Sequence, residues 1–303
     1  VVSVDLDRIA GEYPFVPKRL DVGGGVELSY LDEGPADAPA ILFVHGNPTW
    51  SFYWRHLVKR FRGAYRCVAV DHVGCGLSDK PQAGYEYTLA RRVADLTTVV
   101  DRLGLTDVTL AMHDWGGAIG MGYATAHPKN VRGLMIFNTA AFRSSAIPWR
   151  IAACRLPIVG AWAVRGLNAF VGAAVHLRMA TRSKTLFADP AVRYGYLAPY
   201  DSWENRIGVS RFVDDIPMRP GHPSYATLAA IDERLSLFEK TPSLIVWGAD
   251  DWCFHDRFYR EWLKRLKNVQ AHMVAGAGHW VIEDARETVI EMMSAFLAEL
   301  PER

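Results

Sequence analysis

Asp114 lies in the run Met112-His113-Asp114-Trp115-Gly116-Gly117, just after an apolar stretch. A strand that turns sharply into a helix presents the turning side chain above the sheet edge, and small residues after it let strand and helix approach closely. A carboxylate held at a helix N-terminus stays ionised and can attack an electrophilic carbon. The same residue types also make an ordinary helix N-cap, so the motif by itself leaves both uses open.

A second run, His45-Gly46-Asn47-Pro48-Thr49-Trp50, follows an earlier apolar stretch. In an α/β sheet the carboxyl ends of the strands share one edge, so this loop and the Asp114 turn can meet over one crevice. The Asn47 amide and the Trp115 indole N–H are two neutral donors, suited to holding an anion that leaves as Asp114 attacks. Taken singly, Asn47 also reads as a turn residue before Pro48 and Trp115 as core. Near the end of the chain comes Gly276-Ala277-Gly278-His279-Trp280. His279 on a glycine-rich loop can reach a nucleophile, although the chain has ten histidines and the residue type alone says little. Asp250 or Asp251, after the apolar run 243–247, could accept the His279 N–H and fix its tautomer and orientation. The segment Asn138–Phe142 after the preceding run holds no acid, so the acid must come from the 250–251 pair. Nucleophile, acid and histidine in that order, each just after a strand, is the chain order of α/β-hydrolases.

These groups need a parallel sheet beneath them. Short Val/Ile/Leu/Phe-rich runs separated by amphipathic stretches predict strands at 40–45, 65–71, 108–112, 131–137, 243–247 and 269–274, with helices between. The helix over 90–103 should stop at Gly104, and 19–33 should form an antiparallel hairpin around Gly23-Gly24-Gly25 at the sheet edge. The expected fold class is α/β, an α/β-hydrolase fold with a mostly parallel eight-stranded sheet flanked by helices. After Asn138 about a hundred residues pass before the next core strand, too many for a simple connection, so a helical lid is expected. The core would comprise 1–140 and 223–303 and the lid 141–222, with Pro217, Pro220 and Pro223 marking the return.

The 303 residues carry 34 Lys+Arg against 33 Asp+Glu. That balance excludes a nucleic-acid binder, which needs a dense basic stripe, and a disordered chain. Cys67, Cys75, Cys154 and Cys253 are scattered without metal or disulfide spacing. Asp5, Asp7, Arg8 and Glu12 interrupt the first residues, and no run is apolar enough to span a bilayer, so a cytoplasmic protein is expected. Charge is uneven, however: no Asp or Glu occurs between Asp114 and Asp189, while nine Lys or Arg lie from Lys129 to Lys184. With the apolar run 147–177, this predicts a helical lid with solvated arginines, a tunnel for a long-chain substrate, or a docking face for a membrane or partner protein.

The motifs HGNPTW, HDWGG and GAGHW resemble those of haloalkane dehalogenases, and the resemblance covers essentially the whole chain. It implies Asp114 as nucleophile, Asn47 and Trp115 as halide-binding groups, and His279 as the group that activates water. It also favours Asp251 over Asp250, since the third residue past Gly248 is the usual place of this acid. The asparagine with a late acid resembles the third dehalogenase subfamily, whereas Met112 stands where a serine-type turn has glycine. The lid runs Pro199–Arg206 and Arg211–Pro217 resemble β-lactone decarboxylases of bacterial olefin pathways. That resemblance implies conversion of a hydrophobic long-chain cis-3,4-dialkyl-β-lactone to a cis-alkene and carbon dioxide, without metal or organic cofactor. It further implies assembly with the enzyme that makes the lactone. Haloalkane hydrolysis is the alternative, and epoxide hydrolysis a third, with Tyr194, Tyr196 or Tyr200 protonating the epoxide oxygen. A binding protein with a relic pocket would predict no turnover to lose on Asp114→Ala.

Overall fold

The computed structural model describes residues 4–301. Eight strands form one sheet: β1 (Lys18–Asp21), β2 (Glu27–Glu33), β3 (Ala40–Val44), β4 (Arg66–Asp71), β5 (Val108–Asp114), β6 (Val131–Thr139), β7 (Ser243–Gly248) and β8 (Val269–Val274). Their order is β1-β2-β4-β3-β5-β6-β7-β8, with the β1–β2 and β2–β4 pairs antiparallel and all other pairs parallel, so that β2 alone runs against the rest. The expected hairpin is therefore present, with β1 on the outer edge.

Alternation along each central strand sends side chains to opposite faces. Leu42, Val44, Leu110, Met112 and Ile136 pack on one side beneath α2 (Leu89–Arg102) and α3 (Trp115–Ala126). Ile41, Phe43, Ala111, Met135 and Phe137 pack on the other against α1 (Arg55–Phe61) and the final helix Arg286–Glu299. Both faces being covered explains why these strands read as unbroken apolar runs. The Thr88 side chain accepts the Arg91 N–H to start α2, and Gly104 follows its end at φ +60°.

Two strands run past their expected ends. β5 continues through His113 to Asp114 and β6 through Asn138 to Thr139, because the buried polar side chains of His113 and Asn138 find partners across the sheet edge. Polarity had marked them as loop.

Between β6 and β7 there are only helices. Trp149–Cys154, Ala169–Val175, Pro190–Leu197 and Ile207–Asp214 roof the carboxyl edge of the sheet, while Tyr225–Arg234 lies against α3. The latter half of this insertion is tied down by groups from the core loops. The Trp50 indole donates to the Gly195 carbonyl at 2.8 Å, the Trp280 amide to Ala180 at 2.7 Å, and the Trp252 indole to Met179 at 2.6 Å. Below them the buried Arg55 guanidinium pairs with Glu283 and Glu12, and the Tyr196 hydroxyl donates to Glu283. Among the described residues no helix is long and apolar enough to cross a membrane.

Candidate active site

Asp114 sits at φ +53°, ψ −126°, the sharp turn from β5 into α3. A non-glycine residue held there is strained, and the surroundings enforce it. A Cβ on Gly116 would collide with the Val44 carbonyl and one on Gly46 with the Asp114 carboxylate, so both positions must lack a side chain. The two glycine-bearing motifs are thus one device: loop and turn approach within backbone contact. His45 locks the loop, its Nδ1 bonded to the Gly46 carbonyl at 2.7 Å and its Nε2 accepting the His72 amide at 2.9 Å.

The carboxylate is buried, 7% exposed. Its Oδ1 accepts the Asn47 backbone N–H at 2.6 Å, and its Oδ2 lies 3.5 Å from His279 Nε2. His279 Nδ1 in turn donates to Asp251 Oδ2 at 2.8 Å. That oxygen also accepts the Asn138 amide at 2.9 Å, and Asp251 Oδ1 accepts the Cys253 N–H at 2.7 Å. Asp250, by contrast, is half exposed and faces Arg182. Of the two candidates, the structure brings Asp251 to the histidine. The His279 carbonyl accepts from His113 Nε2 at 2.9 Å, which fixes its loop from below.

Charge follows from this geometry. Burial alone would lower the His279 pKa, but Asp251 and Asp114 on either side raise it to about 10. Burial alone would raise Asp114 and Asp251, but the His279 hydrogen bond and charge hold each below the ordinary carboxylate value. The resting row is carboxylate, imidazolium, carboxylate.

Asn47 and Trp115 both line the cavity beside Asp114, with one change from expectation. It is the Asn47 backbone N–H that contacts the carboxylate, while the side-chain Nδ2 donates to the Val209 carbonyl of the lid at 3.2 Å. One Nδ2 hydrogen remains available. The Trp115 ring packs on Phe212, 5.4 Å between centroids, and its indole N–H has no protein partner among the described residues. Tyr194 is tied to the amino-terminal segment through the Asp5 amide, Tyr196 to Glu283 and Tyr200 to the Thr49 carbonyl; none of the three lines the cavity. The lid tyrosines therefore do not serve an epoxide oxygen here.

The cavity measures about 440 Å³ and is lined mainly by Phe142, Ile147, Ile151, Phe170, Met179, Val213 and other apolar side chains. Sequence reasoning missed Asn138, His113 and the Arg55–Glu283–Tyr196 cluster. Asn138 carried a signal, a polar residue at the strand end where some enzymes of this type place their acid. The others lie at scattered positions whose neighbours carry no sign that the folded chain brings them together.

The chain matches the α/β hydrolase fold family over residues 39–285 and belongs to it. It is 42% identical, over 95% of its length and 98% of the relative's, to a cis-3-alkyl-4-alkyloxetan-2-one decarboxylase of Xanthomonas campestris pv. campestris. A haloalkane dehalogenase of Mycobacterium marinum is 31% identical over 92% of this chain and 93% of its own. Among solved structures, haloalkane dehalogenase DbeA from Bradyrhizobium elkani superposes with a TM-score of 0.84 at 26% identity, covering 94% of this chain and 98% of that one. Within the family the protein is thus a haloalkane-dehalogenase-like enzyme, whose fold carries aspartate-nucleophile chemistry.

Proposed function

We propose that the protein is a β-lactone decarboxylase that converts a long-chain cis-3,4-dialkyl-β-lactone to a cis-alkene and carbon dioxide. One observation carries this reading: a buried, ionised carboxylate opens into an apolar cavity of about 440 Å³, roomy and greasy enough for a substrate with two alkyl chains. The 42% identity to an oxetanone decarboxylase, against 31% to a dehalogenase, supports it.

Asp114 attacks the ring carbon that bears the lactone oxygen. The ring C–O bond breaks, and an alkyl ester and a free carboxylate form. Asn47 Nδ2 and the Trp115 indole N–H hold that new carboxylate. Its C–C bond then breaks, the electron pair forms the double bond, and Asp114 leaves with its oxygen as carbon dioxide departs. No water or proton enters. Inversion at the attacked carbon followed by anti elimination turns a cis-lactone into a cis-alkene. His279, protonated between two carboxylates, keeps Asp114 anionic, and Asp251 orients the ring. Haloalkane hydrolysis would need the same Asp114 and anion donors, but a neutral His279 to activate water.

The test is gas chromatography after the protein meets a long-chain cis-β-lactone, with Asp114→Ala alongside and a bromoalkane in parallel. Alkene from the native protein alone supports the reading. Bromide release without alkene overturns it in favour of the dehalogenase.

A further inference from the structure

The first half of the lid has apolar side chains on both of its faces. Ile147, Ile151 and Phe170 line the cavity on the inside. On the outside Leu156, Ile158, Val159, Trp162, Leu167 and Leu177 are all more than half exposed, Ile158 at 86%. Among the described residues, seven of the eleven large exposed apolar side chains fall within 149–177, so this is a patch and not a scatter. A helix that covers a core ordinarily turns a polar face to water. The backbone gathers the patch further: Trp162 bonds back to Ile158, so Ile158, Val159 and Trp162 share one turn, and Ile158 is held at φ +64°, a costly conformation for a β-branched residue at an exposed tip.

The charges around the patch are mainly positive, with Asp214 and Glu204 the acids that face Arg155 and Arg165. Arg150, Arg155, Arg165 and Arg178 belong to the acid-free stretch, and among the described residues no carboxylate lies within ion-pair distance of any of them. A second copy of the chain would bring these arginines against their own images. An anionic surface with an apolar interior complements both features at once: the side chains enter the acyl region and the guanidinium groups stay at the headgroups.

We propose that residues 149–177 dock the protein on an anionic lipid bilayer, with Leu156, Ile158, Val159 and Trp162 inserted and the lid arginines on the lipid phosphates. The inference stands without the reaction assigned above, but places the apolar cavity one lid thickness from the bilayer.

The test is flotation of the full-length protein with vesicles of phosphatidylcholine alone or with about one third phosphatidylglycerol. The native protein should float with the anionic vesicles, and binding should fall on removing phosphatidylglycerol or adding salt. Ile158→Glu/Trp162→Glu should lose at least about tenfold in partitioning, as two inserted side chains are removed. Arg155→Glu should lose about fivefold or more. Neither Ile158 nor Trp162 lines the cavity, so the double variant should keep its unfolding midpoint and its turnover of detergent-dispersed substrate. Native protein that stays with the aqueous phase, or a double variant that floats as well as native, overturns the proposal. So does self-association or capture of an acidic protein that the double substitution abolishes while vesicle binding is unchanged.

Discussion

The catalytic cradle and the first half of the lid face each other across one cavity and are built on opposite plans. In the cradle each of the three reacting side chains has a partner that fixes it: Asp114 by the Asn47 amide, His279 by Asp251 and His113, Asp251 by Asn138 and the Cys253 amide. The segment 147–177 makes one hydrogen bond to the core among the described residues, from Arg165 to Gln82 at 2.7 Å. The difference separates two tasks. Chemistry needs atoms held to fractions of an ångström, whereas accommodation of alkyl chains needs a surface that is apolar and free to adjust.

The comparison can be broken from the cradle side first. Asp114→Ala should reduce turnover at least about 10⁴-fold with an unchanged fold, measured by product formation and circular dichroism. Arg55→Met should leave Glu283 buried without its cation and cost about 3–5 kcal/mol in urea denaturation. Asn47→Ala should reduce kcat roughly 10²-fold, since it removes one donor to the developing anion, while stability falls by only about 1 kcal/mol from the lost Val209 bond.

The charge on His279 gives a fourth test. Its folded pKa of about 10 lies above the ordinary value near 6.5, so its protonated form stabilises the fold fully below about pH 6.5. That contribution is lost as pH rises toward 10, by no more than about 1.4 kcal/mol per pH unit. Asp251→Asn lowers the folded pKa and should flatten the slope of the melting temperature between pH 6.5 and 10. The same titration sharpens the reaction assignment: alkene formation, which needs no base, should be nearly level from pH 6 to 9, whereas hydrolysis through His279 would climb. On the lid side, Phe170→Ala should shift chain-length preference about fivefold toward bulkier substrates with little change in unfolding midpoint, read from competing lactones of two lengths.

The sequence carried the cradle better than its support. The strands, the hairpin, the α2 cap and the meeting of Asp114, Asn47, Asp251 and His279 were legible, because glycines at forced approaches and apolar runs covered on both faces leave local marks. The Asn47 side chain reaching the lid was not legible, since the Val209 carbonyl is 162 positions away and carries no residue-type signal. The Arg55–Glu283–Tyr196 cluster escaped for a related reason: each member is a single polar residue, and only the folded chain brings the three together. The ends of β5 and β6 were misplaced because a buried polar residue with a partner looks, in sequence, like a loop residue without one.

Asn138 touches the same Asp251 oxygen that receives the His279 proton, yet it projects from the neighbouring strand. Two neighbouring strand ends therefore meet at one oxygen beside the histidine, one bearing a carboxylate and the other its isosteric amide. Exchanging them, Asn138→Asp with Asp251→Asn, conserves both size and total charge. Asn138→Asp alone would set two carboxyl groups about 2.9 Å apart, where they must share a proton, and Asp251→Asn would then relieve that pair.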